Sequence, residues 1–322
     1  MKDLVVVTGA VGFIGRNVVE LLNQRGLNNL ILVDYLGIDE KWKNLRGLKY
    51  EDVLSPQQWL DAVQSGKAPK PSSIIHLGAC SATTERNADY LLENNYRYTR
   101  TLAEWSLAND IRFVYASSAA TYGDGSQGYS DDDAKTETLV PLNMYGYSKH
   151  MFDLWALRRG LLDKIVGLKY FNVYGPYEDH KGDMRSLVHK AYHQIKTHGY
   201  IELFKSEHPD FKDGEQKRDF VYVRDAAQVT VYFALDSKQG GLFNCGASQA
   251  RTWIDLAKAL FAAMGRKPDI RFVDLPEILR GKYQYFTQAE TSKLRKAGYT
   301  VPFASIEDGV GDYVKSYLEK TA

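Results

Sequence analysis

The pair whose spacing carries the most chemistry is Tyr145 and Lys149, within Asn143-Met144-Tyr145-Gly146-Tyr147-Ser148-Lys149. Four residues apart on a helix, the two side chains share a face. An ammonium beside a phenol favours the phenolate and draws its ordinary pKa of about 10 toward the range of a general base. Tyr-x-x-x-Lys also occurs on ordinary solvated helix faces, so the pair takes its meaning from the elements that position it. Pro141 and Asn143 punctuate the chain ahead of it, and the pattern predicts a helix to about residue 159.

Those elements start at the N-terminus. Leu4-Val5-Val6-Val7 is a continuous apolar run, as in a strand buried on both faces of a parallel sheet. Thr8-Gly9-Ala10-Val11-Gly12-Phe13-Ile14-Gly15 follows at once, then a helical pattern over residues 16–26. Strand, glycine turn and helix are the parts of a dinucleotide site, where glycines admit a pyrophosphate and the helix N-terminus offers it free N–H groups. The spacing here is G-x-x-G-x-x-G, and a plain strand-to-helix turn is the alternative. A second strand, Leu30-Ile31-Leu32-Val33, ends in Asp34, the position from which an acidic residue accepts hydrogen bonds from an adenosine ribose. Lys41, Lys43 and Arg46 follow and could neutralise a 2′-phosphate, so residue chemistry leaves NAD and NADP both open.

Ser73-Ile74-Ile75-His76-Leu77 is another short strand and runs into Gly78-Ala79-Cys80-Ser81, small residues that leave room at a sheet's carboxyl edge. Cys80 lacks a Cys-His signature and reads as a small packed residue. Arg112-Phe113-Val114-Tyr115 leads into Ala116-Ser117-Ser118-Ala119-Ala120-Thr121-Tyr122-Gly123, where a serine past a strand end either meets a substrate oxygen or caps a turn. The polar stretch 124–138 contains Asp131-Asp132-Asp133, read as solvated loop and not as a metal site. In the second half, 204–217 reads as a loop over the substrate, followed by a strand from Arg218. Arg218 has the planar fork suited to a diphosphate, with a salt bridge to neighbouring acidic residues as the alternative. The segments 242–246 and 270–273 read as strands, 252–264 as an amphipathic helix, and 306–318 as a last helix without a catalytic signal.

Composition narrows the setting. The 322 residues suffice for one large or two medium domains. Charged residues make up 25% and hydrophobic residues 44%, ordinary for a globular chain. A net charge of +1 gives no field for nucleic acid or an anionic membrane surface. The two cysteines, Cys80 and Cys245, make neither a disulfide framework nor a zinc site. No apolar run reaches the roughly 20 residues of a membrane span, and Met1-Lys2-Asp3 leads straight into a strand, so a cytoplasmic setting is expected.

Taken in order, Thr8-Gly9-x-x-Gly12-x-x-Gly15, Asp34, Ser117-Ser118 with Tyr122-Gly123, and Tyr145-x-x-x-Lys149 resemble the extended short-chain dehydrogenase/reductase family, whose members act on nucleotide sugars. The resemblance covers nearly the whole chain. It implies an α/β fold: a Rossmann-type doubly wound parallel sheet with a smaller α/β substrate-binding domain. The expected division is 1–171 with 221–248 for the dinucleotide, 172–220 with 249–298 for the substrate, and 299–322 as a C-terminal helix. Dehydratases of the family carry an acidic residue after the position of Ser118; here Ala119 stands there, which points to an epimerase or reductase.

Phe171-Asn172-Val173-Tyr174-Gly175-Pro176 occurs widely in the family. The continuation His180-Lys181-Gly182-x-Met184, with Gly281-Lys282-Tyr283-Gln284-x-Phe286-Thr287-Gln288, is similar to the epimerase branch that works on ADP-linked heptoses for the lipopolysaccharide inner core. That resemblance implies Tyr145 and Lys181 as two bases, Lys149 on the cofactor ribose and beside Tyr145, and Ser118 at the reacting oxygen. With the glycines, Phe13, Ile14, Asp34, Tyr35, Lys41, Leu77, Gly78, Ala79, Cys80, Ser81, Asn94 and Val173 would line the cofactor site. Asn172, Asp183, Lys190, Phe204, Lys205, Ser206, Glu207, Arg218 and Tyr283 would meet the ADP-sugar. Without the motif, Lys181 would read as a surface loop lysine. The chain departs from the family pattern at Asp183, at Lys190, at Lys169, where arginine is common, and over 208–217. The resemblance implies NADP, with NAD kept open by Asp34, no metal, no nucleic acid or membrane partner, and a homo-oligomer, a pentamer being the expected form. Rival readings are another nucleotide-sugar epimerase or reductase, such as one acting on UDP-glucose, and a non-catalytic dinucleotide sensor, which would be expected to lose Tyr145 or Lys149.

Overall fold

A computed structural model describes residues 4–277 and 283–321. Gly281 and Lys282 of the Tyr283 motif, and the N-terminal Met1-Lys2-Asp3, lie outside the described residues. Seven parallel strands form the main sheet: β1 (Val5–Thr8), β2 (Leu30–Val33), β3 (Asp52–Leu54), β4 (Ser73–His76), β5 (Arg112–Ser118), β6 (Val166–Tyr170) and β10 (Gly241–Cys245). Their order across the sheet is β10-β6-β5-β4-β1-β2-β3. Chain order runs outward from β1 in one direction through β3, then resumes on its other side with β4. The carboxyl edge between β1 and β4 is therefore the switch point, where such sheets bind ligands. Register places Val5 opposite Leu30 on one side and Ser73 on the other, so every side chain of β1 is buried. That double burial is why the run is apolar without alternation.

The segment 165–176 forms two strands. After β6, Phe171 donates its N–H to the carbonyl of Cys245, and the chain bends out of the main sheet. It continues as β7 (Asn172–Tyr174), parallel to β9 (Lys217–Tyr222), which pairs antiparallel with β11 (Ala250–Thr252). A third, two-stranded sheet pairs β8 (Ile201–Phe204) with β12 (Ile270–Val273), so Phe204 and Lys217 end strands at either side of the expected loop. Helices Leu187–His198, Trp253–Ala263 and Ile306–Tyr313 cover this second part around Tyr174, Leu203, Phe220, Leu260 and Tyr313.

The Asp131-Asp132-Asp133 run is not a solvated loop. Asp131 is buried and accepts the N–H of Asn244 at 2.8 Å. Burial pushes its carboxyl up to about 6, against the pull of that N–H and of Lys293. Asp133 accepts from Lys293 Nζ at 2.8 Å and from the Leu242 N–H, while Asp132 caps a short helical turn through the Ala134 N–H. An apolar edge strand, β10, explains the arrangement: the carboxylates satisfy N–H groups that have no sheet neighbour.

Candidate active site

The helix Met144–Arg158 starts at Asn143, whose side chain accepts the Gly146 N–H at 2.8 Å. This cap starts the helix where Tyr145, one turn before Lys149, reaches the carboxyl edge of β5. Tyr145, Lys149 and Ser118 line one cavity of about 630 Å³, together with Phe13, Ile14, Lys181 and Tyr283. Leu77, Ala79, Ser81, Asn172, Val173, Lys190 and Phe204 also line it. The structure thus brings together residues spread over 270 positions, from Phe13 to Tyr283.

The expectation that Lys149 lowers the Tyr145 pKa is not met in this structure. Burial raises the phenol, and the Ser118 hydroxyl is the group that pulls it back. Lys149 points elsewhere, donating to the Ala116 carbonyl at 2.8 Å. Burial draws its ammonium down to about 8, with the Asp153 carboxylate resisting. Lys181 lies over the Phe13 ring, 4.9 Å from its centre. Burial lowers its ammonium too; Glu178 holds it up and Lys190 pushes it further down. Two lysines with weakened hold on their protons thus border one cavity, each suited to proton transfer or to a developing oxyanion.

The glycine loop fits a dinucleotide closely. Gly9 has φ +66°, and a Cβ there would lie 2.6 Å from the Gly78 nitrogen, between the ends of β1 and β4. A Cβ on Gly15 would lie 2.0 Å from the Gly9 carbonyl oxygen. The helix Phe13–Gln24 begins at Gly12 with no side-chain cap, which leaves its first N–H groups to a pyrophosphate. Asp34 accepts the Val11 N–H on Oδ2 at 2.9 Å, and on Oδ1 both the Tyr35 N–H at 2.8 Å and Lys41 Nζ at 2.7 Å. Acid and base thus sit together at the ribose end of the loop. Tyr35 is exposed there.

Other expected contacts fall outside the cavity wall. Asp183 offers its carbonyl to Lys190 Nζ at 3.0 Å. Lys205 pairs with Asp274, Ser206 folds onto His208 and Asp213, and the Glu207 N–H reaches the Tyr285 hydroxyl. Arg218 is buried between the Trp253 and Tyr283 rings and donates to the carbonyls of Lys217 and Gln284. Asn94 only touches Asn95; it is the buried Asn95 that holds both the N–H and the carbonyl of Cys80 and donates to Ser148 on the Tyr145 helix.

Sequence reasoning passed over three further groups. Asp153 lies two turns beyond Tyr145 on the same helix face, a spacing that would have revealed it. It accepts from Tyr115 at 2.8 Å, Ser117 at 2.7 Å and Lys169 at 2.7 Å. Arg185 lines the cavity, and its buried Nε has no partner among the described residues. Glu178 is fully buried beneath Lys181.

A family model described as the NAD dependent epimerase/dehydratase family matches residues 5–246. The chain belongs to that family. Within it, the chain is 54% identical over 314 residues to the ADP-L-glycero-D-manno-heptose-6-epimerase of Nitratidesulfovibrio vulgaris strain DP4, with 97% of each covered. The enzyme of the same name from Fusobacterium nucleatum is 44% identical, with 98% of each covered. A crystal structure of the Helicobacter pylori ADP-L-glycero-D-manno-heptose-6-epimerase superposes with a TM-score of 0.83 at 26% identity, covering 98% of this chain and 96% of that one.

Proposed function

We propose that this family member interconverts ADP-D-glycero-β-D-manno-heptose and ADP-L-glycero-β-D-manno-heptose at C6″, the step that prepares heptose for the lipopolysaccharide core. The observation that carries the reading is Tyr145 and Lys181 bordering one cavity, on separate elements, beside the glycine loop. The named relatives supply the substrate. On this reading 1–171 with 221–248 carries the cofactor and 172–220 with 249–298 the sugar nucleotide.

No carbonyl activates the C6″ hydrogen, so inversion there needs oxidation to a ketone and reduction on the opposite face. The chemistry that a bound nicotinamide supplies is reversible hydride exchange with that carbon. Tyr145 takes the hydroxyl proton of one epimer as it is oxidised, or gives a proton to that oxygen in the reverse direction; it and Lys181 regain their starting protonation states by exchange with solvent. Ser118 hydrogen-bonds the reacting oxygen, and Lys149 holds the cofactor ribose. Lys181 performs the proton transfer for the other epimer, whose oxygen lies on its side of the ring. Asp34 and Lys41 would hold the adenosine ribose, Lys41 favouring NADP through its 2′-phosphate.

The test is incubation with ADP-D-glycero-β-D-manno-heptose and detection of the L-glycero product. Tyr145→Phe and Lys181→Met should each lower the rate by roughly 10²–10⁴. Turnover of UDP-glucose without turnover of the heptose would overturn the substrate. Mass analysis of the nucleotide released from purified protein identifies the cofactor, and NAD alone would overturn NADP.

A further inference from the structure

Lys181 sits on a short helical turn, Asp179–Met184, that is poorly placed to hold itself still. None of its residues is fully buried, although the Lys181 ammonium is partly desolvated over Phe13, and the turn breaks at Gly182, φ 53° and ψ −127°. Core packing therefore does little to fix the Lys181 backbone. Polar contacts at the two ends of the turn must do it.

Glu178 ties the two ends together. Glu178, immediately before the turn, is fully buried. Its carboxylate accepts the Ser186 N–H at 2.5 Å and the Ser186 hydroxyl at 2.6 Å, closing the loop eight residues on. The Tyr313 hydroxyl, from the helix Ile306–Tyr313, adds a third donor at 3.1 Å. The Glu178 carbonyl meanwhile accepts the Lys181 N–H at 3.0 Å. Its neighbour Asp179 is anchored alongside, to His189 at 3.1 Å and to Tyr317 at 2.5 Å. Burying a carboxylate without an ion pair is costly, and three donors at these distances are what such a site needs.

We propose that Glu178, clasped to Ser186 and Tyr313, is the positioning residue for Lys181, which makes the C-terminal helix part of the apparatus that presents the second base. The proposal rests on the reading of Lys181 as an acid/base. It gives a task to the 306–318 segment, which carries no catalytic signal of its own.

The test measures kcat, KM for the ADP-heptose and retained nucleotide in Lys181→Met, Glu178→Gln, Tyr313→Phe and the double variant Glu178→Gln/Lys181→Met. Glu178→Gln keeps size but puts an NH₂ in place of one accepting oxygen, facing either the Ser186 N–H or the two hydroxyls, which then have to turn from donating to accepting. Its kcat should fall on the order of 100-fold, as for a misplacement near 1 Å. Tyr313→Phe removes one hydrogen bond and should cost about 10-fold. KM and nucleotide content should stay near wild type in both. The double variant should be no slower than Lys181→Met, because Glu178 acts through that lysine; a general structural defect would multiply the losses. Multiplying losses, or wild-type kcat in Glu178→Gln and Tyr313→Phe while Lys181→Met is impaired, would overturn the clasp alone. Wild-type kcat in Lys181→Met would overturn the acid/base reading and the clasp with it. Should Glu178→Gln not fold, Tyr313→Phe and its double with Lys181→Met decide by the same criteria.

Discussion

Replacing Lys169 by methionine isolates the buried ion pair under the candidate site. Lys169 and Asp153 are 1% and 0% exposed, and they meet at 2.7 Å. The substitution keeps an unbranched chain of similar length, so little cavity forms. What changes is Asp153, which keeps hydrogen bonds from Tyr115 and Ser117 but loses its ion-pair partner among the described residues. Thr121 loses the Lys169 donor and keeps its own bond to the Ser118 carbonyl. Removing one member of a buried pair typically costs about 3–5 kcal/mol, and the two surviving hydroxyl donors favour the lower end. Against a total stability of roughly 5–15 kcal/mol, that is a large share. Urea denaturation followed by circular dichroism measures it, with the slope compared to confirm an unchanged transition. The double variant Asp153→Asn/Lys169→Met removes both charges, and its loss should fall short of the summed single losses by roughly 0.5–3 kcal/mol. A loss below about 1 kcal/mol for Lys169→Met, or strict additivity in the double variant, would refute the reasoning.

Further outcomes follow from the same geometry. Gly15→Ala places a Cβ against the Gly9 carbonyl, where both partners are backbone, so dinucleotide affinity measured by titration calorimetry should drop at least about 10-fold. Gly311→Ala meets nothing within 4 Å, and should raise the denaturation midpoint through a gain of about 0.5–1 kcal/mol. The Lys149 ammonium in the free protein titrates near 8, lowered by burial. Because the cofactor is proposed to bind the charged form, affinity should be full below that pH and fall as pH rises through it; Lys149→Met should bind more weakly, without that dependence. Lys41→Ala should reduce the ratio of NADP to NAD affinity by about 10- to 100-fold, the worth of one charge-assisted hydrogen bond, measured by competition between the two dinucleotides.

The parts of the molecule legible in the sequence are those whose signal is local. β1, β2 and β4 are short apolar runs because both sheet faces are covered, and the glycines stand where backbone meets backbone. Asn143 is recognisable because a cap acts three residues away. β3 escaped notice, since Asp52–Leu54 is a half-buried edge strand without an apolar run. The acidic run at 131–133 misled because its partners, Leu242, Asn244 and Lys293, are more than 100 residues distant. Glu178 was invisible for the same reason: Tyr313 lies 135 residues further on. The Tyr145–Lys149 spacing correctly put both side chains at one cavity, but spacing says nothing of desolvation, which sets the direction of both pKa shifts.

The bend at Phe171 carries a consequence for how the chain can change. Tyr170 closes one sheet and Asn172 opens another, with a single residue between them. Tyr170 through Tyr174 all line the cavity and strand side chains alternate, so one residue added or deleted here would put each later side chain of β7 on the opposite face and shift its register against β9. Length variation is more tolerable in the mostly exposed stretch 208–212, where it alters reach and leaves facing intact. At Phe171 it would turn over the face that β7 presents, so the count of residues across the bend is under tighter constraint than the identity of most residues in it.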